Sequence, residues 1–211
     1  MSNFFKTADT LKQGSMTLSQ KYYMDDSIFK KEMSNIFFNS WLCCGRSQDM
    51  SNSGDYKLFN IGNESIMILK NEHNEINAFY NICRHRGTKI CTKKNGNFSK
   101  SIQCPYHGWT YDLNGNLRSA PNMDAVNDFN KSDYPLHGLR LAEWGGFIFI
   151  NMGDAPVDFS FEFSPLKNCF AEWEIEDLIT LHSKSYDVNC NWKLIIQNYS
   201  ECYHCPLIHP P

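Results

Sequence analysis

Cys83-Arg84-His85-Arg86-Gly87 and Cys104-Pro105-Tyr106-His107-Gly108-Trp109 are the stretches on which the reading of this chain turns. Each offers one thiol and one imidazole within four residues, and eighteen residues separate His85 from Cys104. The segments match in kind: a cysteine, a histidine, then a glycine that lets the backbone turn tightly, with Pro105 stiffening the second. Two thiols and two imidazoles make a metal-binding set. A structural zinc site is one reading, but zinc ligands are ordinarily paired across two to four intervening residues, and a Cys-x-His pair fits that poorly.

The sequence around these segments reads as β-structure. From Trp41 to about Met152, short runs such as Tyr56 to Ile61, Ser65 to Leu69 and Ile76 to Tyr80 are separated by Gly and Asn turns. Asn114-Gly115 signals a hairpin, and Gly146 to Ile150 reads as a buried strand. Upstream, Ile28, Met33, Ile36 and Phe37 recur at helical spacing, so Ser27 to Asn39 is expected to be a helix with Asp26 as its N-cap. After Asp154-Ala155-Pro156 the pattern shifts. Ser164-Pro165 is expected to start a short helix, Leu178 to Val188 a strand, and Asn191 onward a further helix. The fold class is therefore α+β: a helical lead-in over 1–40 packing on the last region, an all-β domain over 41–153, and an α+β domain begun at 154–211. Its abrupt end at Pro210-Pro211 reads as that of a fragment.

Composition narrows the function. The 211 residues are 42% apolar and 20% charged, as in an ordinary globular protein, with a formal net charge of -3 and no basic stripe to attract nucleic acid. The first residues lack a secretory pattern and no stretch is apolar enough to span a membrane, so no membrane partner and a cytoplasmic location are expected. Nine cysteines are many for a reducing compartment, and an odd number cannot all pair, which favours metal ligation over disulfides. Cys43, Cys44, Cys91, Cys169, Cys190, Cys202 and Cys205 are expected to be buried or half-buried thiols without chemistry.

A second constellation closes the chain: Glu201-Cys202-Tyr203-His204, then His209. On a helix running from Asn191 into Pro206, residues 201 and 204 share a face, and His209 lies just beyond the break. Two histidines with a carboxylate are the facial triad of non-haem Fe(II) oxygenases. Alone, a His-x4-His pair is more often a core or surface pair.

The first constellation resembles a Rieske [2Fe-2S] centre, in which one iron is held by two cysteines and the other by two histidines. That assigns Cys83 and Cys104 to one iron and His85 and His107 to the other. Respiratory Rieske proteins carry an extra cysteine in each loop, joined as a disulfide. Here those positions are Thr88 and Tyr106, which matches the oxygenase and ferredoxin branch. Arg84 and Arg86 either answer the reduced cluster's charge or meet a partner, or are solvated loop residues, and Trp109 covers the cluster or fills the core.

With the second motif included, the chain resembles the α subunits of Rieske non-haem iron oxygenases along essentially its whole length. The resemblance implies an all-β Rieske domain followed by a truncated catalytic domain of helix-grip type. It implies a mononuclear Fe(II) held by His204 and His209, with Glu201 as the acid that bridges to a neighbouring subunit's His107 within a trimer. The third iron ligand of the family falls on a later helix, and no acid of this chain substitutes for it. Glu201 followed by Cys-Tyr-His-Cys is similar to the branch that monooxygenates quaternary ammonium compounds such as carnitine, choline and betaines. Aromatic-ring dihydroxylation and a Rieske ferredoxin-like carrier are the alternatives. No Gly-rich nucleotide motif occurs, so electrons from NAD(P)H are expected through a separate flavin/iron-sulfur reductase, with O2 and a small molecule as substrates.

Overall fold

The structure, a computed structural model, describes residues 13–14, 16–201 and 208. It divides into two units: Ser34–Leu181, and the described residues of 1–33 together with those of 182–211.

In the larger unit, the strands follow from the short apolar runs. They are β1 Leu42–Arg46, β2 Asp55–Ile61, β3 Glu64–Lys70, β4 Ile76–Tyr80, β5 Asn95–Asn97, β6 Ile102–Gln103, β7 Thr110–Tyr111, β8 Leu117–Ser119, β9 Arg140–Trp144 and β10 Phe147–Asn151. They form three antiparallel sheets, ordered β4-β3-β2-β5, β1-β10-β9 and β6-β7-β8.

β3 explains the layering. Its Ser65 to Leu69 are all buried, a continuous run rather than an alternation, because both of its faces are covered. Met67 and Leu69 enter a core with Ile102, Cys104, Trp109, Tyr111 and Leu117 on one side. Ile66 and Ile68 enter a second core with Met50, Ile148 and Ile150 on the other. Each such side chain contributes roughly 1.5–3 kcal/mol by leaving water. The strands expected at Tyr56 to Ile61, Ser65 to Leu69, Ile76 to Tyr80 and Gly146 to Ile150 correspond to β2, β3, β4 and β10. Asn114-Gly115 does turn the β7–β8 hairpin, where Gly115 takes φ +81°, left-handed backbone that a side chain resists.

Five expectations need correction. The lead-in is two helices, α1 Lys21–Met24 and α2 Asp26–Glu32, followed by a π-helical turn over Met33–Phe37. Its cap is Asp25, not Asp26: Asp25 is extended, ending α1, and its carboxylate accepts from Ser27 N at 2.8 Å. The helix placed at Ser164-Pro165 begins earlier, as α3 Phe159–Glu162 capped by Asp158, and Ser164–Leu166 is a single 3-10 turn.

No strand forms between Leu178 and Val188. Leu178, Ile179, Leu181, Tyr186 and Val188 are all more than half exposed, and a strand requires a neighbour to take its backbone bonds. Finally, the helix expected to reach Pro206 is α4 Trp192–Tyr199, closed at Ser200. Asn198, Tyr199 and Ser200 are weak helix formers, so the last turn has little intrinsic support.

The smaller unit is tied by Asn191-Trp192-Lys193. Asn191 caps α4 through Lys193 N at 3.0 Å and donates to Tyr23 O at 3.2 Å. Lys193 Nζ reaches both oxygens of Glu32 at 2.6 and 2.7 Å, and Trp192 Nε1 donates to the same carboxylate at 2.9 Å.

Candidate metal centre

The two ligand segments fold as near copies. Cys83 N donates to Thr88 O at 2.8 Å and Gly87 N to Cys83 O at 2.9 Å; Cys104 N donates to Trp109 O at 2.8 Å and Gly108 N to Cys104 O at 3.1 Å. Gly87 and Gly108 take the same left-handed turn, with φ of +70° and +71°.

Each loop therefore carries its cysteine inward and its histidine outward. Cys83 and Cys104 are both 2% exposed, whereas His85 and His107 are exposed at the rim. The two imidazoles meet with Nδ1 atoms 3.1 Å apart, close enough for both to bond one metal ion at about 2.1 Å each. Among the described residues, no three His, Cys, Asp or Glu side chains converge on one point. The four instead divide into a thiol pair and an imidazole pair, a donor set that suits a two-iron cluster with two protein ligands per iron.

The surroundings support that use. Burial, and the Cys104 thiol beside it, push the Cys83 thiol up, against a hydrogen bond from Tyr111 that pulls it down. Such a thiol keeps its proton until a cation displaces it. Partial desolvation at the rim, then the neighbouring His107 and Arg86, hold His85 below the usual histidine value, which favours the neutral ring whose lone pair can bind metal. Trp109, 2% exposed, stacks on His85 with ring centroids 5.0 Å apart and 13° between planes. Phe129 and Tyr134 pack against Trp109 in T-shaped contacts, both with centroids 5.7 Å away, so aromatic rings line the inner side of the centre.

Arg84 is committed within the fold. Its guanidinium donates to Pro135 O at 2.7 Å and lies 5.9 Å from the Tyr134 ring, so it ties residues 133–135 to the first loop. Arg86 is exposed. Thr88 supplies the carbonyl that closes the first loop, and Tyr106 is 60% exposed with its ring 3.8 Å from that of His107.

Every described cysteine is a free thiol. Against expectation, Cys43, Cys169 and Cys190 are exposed; Cys44 and Cys91 are half-buried, with burial pushing them to about 12 and about 11. Cys202 and Cys205 lie outside the described residues.

Two residues escaped the sequence reading. Tyr111, fully buried on β7, places its hydroxyl 3.3 Å from Cys83 Sγ and accepts from Arg84 N at 3.1 Å. Asn81, fully buried, precedes the first loop and bonds the backbone after it. Both are polar residues beside ligand segments, yet only the tertiary contacts show where their atoms go.

The second constellation is less complete. Glu201 is half-buried and sits past the C-cap of α4, so the shared helical face argued for it with His204 does not hold at Glu201. His204 and His209 lie outside the described residues.

Comparison with known proteins agrees with this division. Residues 40–130 match the Rieske [2Fe-2S] domain, and residues 175–211 match the catalytic domain of ring-hydroxylating α subunits. The chain is 35% identical to the oxygenase subunit of glycine betaine monooxygenase from Chromohalobacter salexigens over 97% of its own length and 46% of that protein's. It is 36% identical to the carnitine monooxygenase oxygenase subunit of Escherichia coli K12, over 94% of this chain and 53% of the other. The chain thus spans about half the length of the curated relatives it matches.

Among solved structures, the quaternary ammonium Rieske monooxygenase CntA with L-carnitine superposes with a TM-score of 0.84 at 32% identity, covering 90% of this chain and 54% of that one. Naphthalene 1,2-dioxygenase from Rhodococcus sp. reaches 0.64 at 30% identity, covering 68% and 33%. The paired loops and their layered β scaffold thus fall within the part of the chain that matches the Rieske [2Fe-2S] domain, and the chain is similar, over 90% or more of its own length, to the oxygenase subunits of quaternary ammonium Rieske monooxygenases.

Proposed function

We propose that this chain is part of a terminal oxygenase that monooxygenates a quaternary ammonium compound. One observation carries the choice of substrate class: the likeness to carnitine and glycine betaine monooxygenases extends over at least 90% of the chain, whereas that to naphthalene dioxygenase covers 68%. The extra coverage favours hydroxylation beside a quaternary nitrogen over dihydroxylation of an aromatic ring.

In this reading Cys83 and Cys104 hold one iron of the cluster and His85 and His107 the other, with Trp109 excluding water from the inner side. His204 and His209 supply two ligands to a mononuclear iron. Glu201 bridges to His107 of a neighbouring subunit in a homotrimer, orienting both imidazoles. When bound, the cluster relays single electrons and the mononuclear iron is where O2 is reduced. A separate NAD(P)H-dependent reductase supplies two electrons, which with two protons and O2 give one water and one hydroxylated carbon. That carbon's bond to nitrogen then breaks, releasing an aldehyde and a tertiary amine. A cytoplasmic location suits the free thiols; among the described residues, no helix is long and apolar enough to cross a membrane.

The test uses the full-length gene product loaded with iron and sulfide. Three irons per chain, falling to two in His204→Ala with the cluster's absorption retained, are expected. With reductase, NADH and carnitine, glycine betaine or choline, O2 uptake should match aldehyde and amine release. Two irons per chain and no substrate-dependent O2 uptake would make the protein an electron carrier. Turnover of aromatic substrates alone would favour the dihydroxylating reading.

A further inference from the structure

The two ligand loops match, but their supports do not. The second loop stands on a strand ladder: β6 and β7 pair through Ile102↔Tyr111 and Gln103↔Thr110, and β8 continues the sheet beyond an irregularity at Thr110/Tyr111. The first loop leaves β4 after Tyr80, and its return limb, residues 88–91, belongs to no strand. A single isolated bridge, Ile82↔Lys89, joins the two limbs.

Asn81 stands where the ladder is missing. Its side chain is fully buried. Oδ1 accepts from Ile90 N at 3.1 Å and Cys91 N at 3.0 Å, and Nδ2 donates to Cys91 O at 2.7 Å and Ser65 Oγ at 3.2 Å. Both lone pairs and both protons of the carboxamide are thus used. Its backbone N also donates to Ser65 O at 2.9 Å, anchoring the group to the central strand β3. A carboxamide offering an acceptor and a donor to successive backbone groups does what a neighbouring strand would do. A fully satisfied buried network of this kind has one low-energy geometry.

We propose that Asn81 is the positioning residue of the first ligand loop, its carboxamide replacing the absent strand and setting where Cys83 and His85 meet the second loop. The proposal rests on the Rieske reading of the centre. Asn71 is a natural control: also fully buried, it accepts from His73 N and Glu75 N at 2.9 Å each, but closes the turn at the opposite end of β4.

The experiment compares the loaded wild-type protein with Asn81→Ala, Asn81→Asp, Ser65→Ala and Asn71→Ala. The readouts are the electron paramagnetic resonance g-values of the reduced cluster, its midpoint potential, the rate of bleaching by a chelator, and the melting temperature. Both Asn81 variants are expected to shift the g-values and to bleach roughly 10–100-fold faster, the usual cost of losing an outer-sphere support. Asn71→Ala is expected to lower the melting temperature with g-values and potential unchanged. If the Asn81 variants do not accumulate as folded protein, Ser65→Ala, which removes one bond to the carboxamide, carries the test with a smaller shift in the same direction. Wild-type g-values and bleaching in the folded Asn81 variants, or in Ser65→Ala when those do not fold, overturn the proposal, as do shifts of equal size in Asn71→Ala. The cluster itself is judged separately: a wild-type protein without a Rieske-type signal refutes the centre, whatever Asn81 does.

Discussion

Replacing Tyr111 by Phe removes one oxygen from the centre and leaves the buried ring in place. The hydroxyl lies 3.3 Å from Cys83 Sγ and already accepts from Arg84 N at 3.1 Å, so its one proton is free to point at the sulfur. Burial, then the neighbouring Cys83, raise this tyrosine above its ordinary value, so it stays a donor at any working pH. A hydrogen bond to a charged group contributes about 1.5–3 kcal/mol. The cluster carries one more negative charge when reduced, so the bond is stronger in that state and favours reduction. If about 1 kcal/mol of the bond distinguishes the two states, a one-electron couple at 59 mV per tenfold change predicts a fall of about 40 mV in Tyr111→Phe. Arg84 N also loses its acceptor, which costs about 1–3 kcal/mol of stability. A redox titration followed by the resonance of the reduced cluster measures the first effect, and chemical denaturation the second. A potential that is unchanged or higher in Tyr111→Phe would refute the claim that this proton serves the sulfur.

Further outcomes follow from the packing. Gly115→Ala should destabilise the protein by about 1–3 kcal/mol in denaturant titration, because left-handed backbone is strained with a side chain and the new Cβ would lie 2.6 Å from the Phe79 ring. Trp109→Ala should cost about 3–5 kcal/mol and speed cluster loss in air, since it opens a cavity beneath His85; a cluster as durable as wild type would count against the shielding role. Burial alone would raise Glu32, but hydrogen bonds from Lys193 and Trp192 and the charge of Lys193 outweigh it and hold the carboxyl below its ordinary 4.5. A depressed carboxyl contributes stability that is complete above that value and lost as pH falls through the folded one. The Trp192 indole N–H resonance should therefore move on acidification below about pH 4.5 in wild type and not in Glu32→Gln.

Much of the architecture was legible because its causes are local. The cluster loops declare themselves through ligand types, glycines and spacing within a few residues. β2, β4 and β10 follow from short apolar runs between turn residues, and the β7–β8 hairpin from Asn114-Gly115. Errors arose where a choice depended on contacts beyond the local sequence. Asp25 and Asp26 are equally good caps by type, and only the break after Met24 selects the first. The run from Leu178 to Val188 has strand-forming residues but no neighbouring strand.

The four candidate ligands were legible in residue type and spacing, because a thiol or an imidazole keeps its affinity for metal wherever it stands, and the family reading came from the resemblance of those motifs. The partnership of the ligands was not legible there. Folding the two loops side by side buries both thiols and brings the Nδ1 atoms of His85 and His107 to 3.1 Å. The same packing turns Tyr111 toward a ligand sulfur and puts Asn81 in place of a strand. Hydrogen bonds are made over about 3 Å, and residues distant along the chain come that close only when the sheets pack.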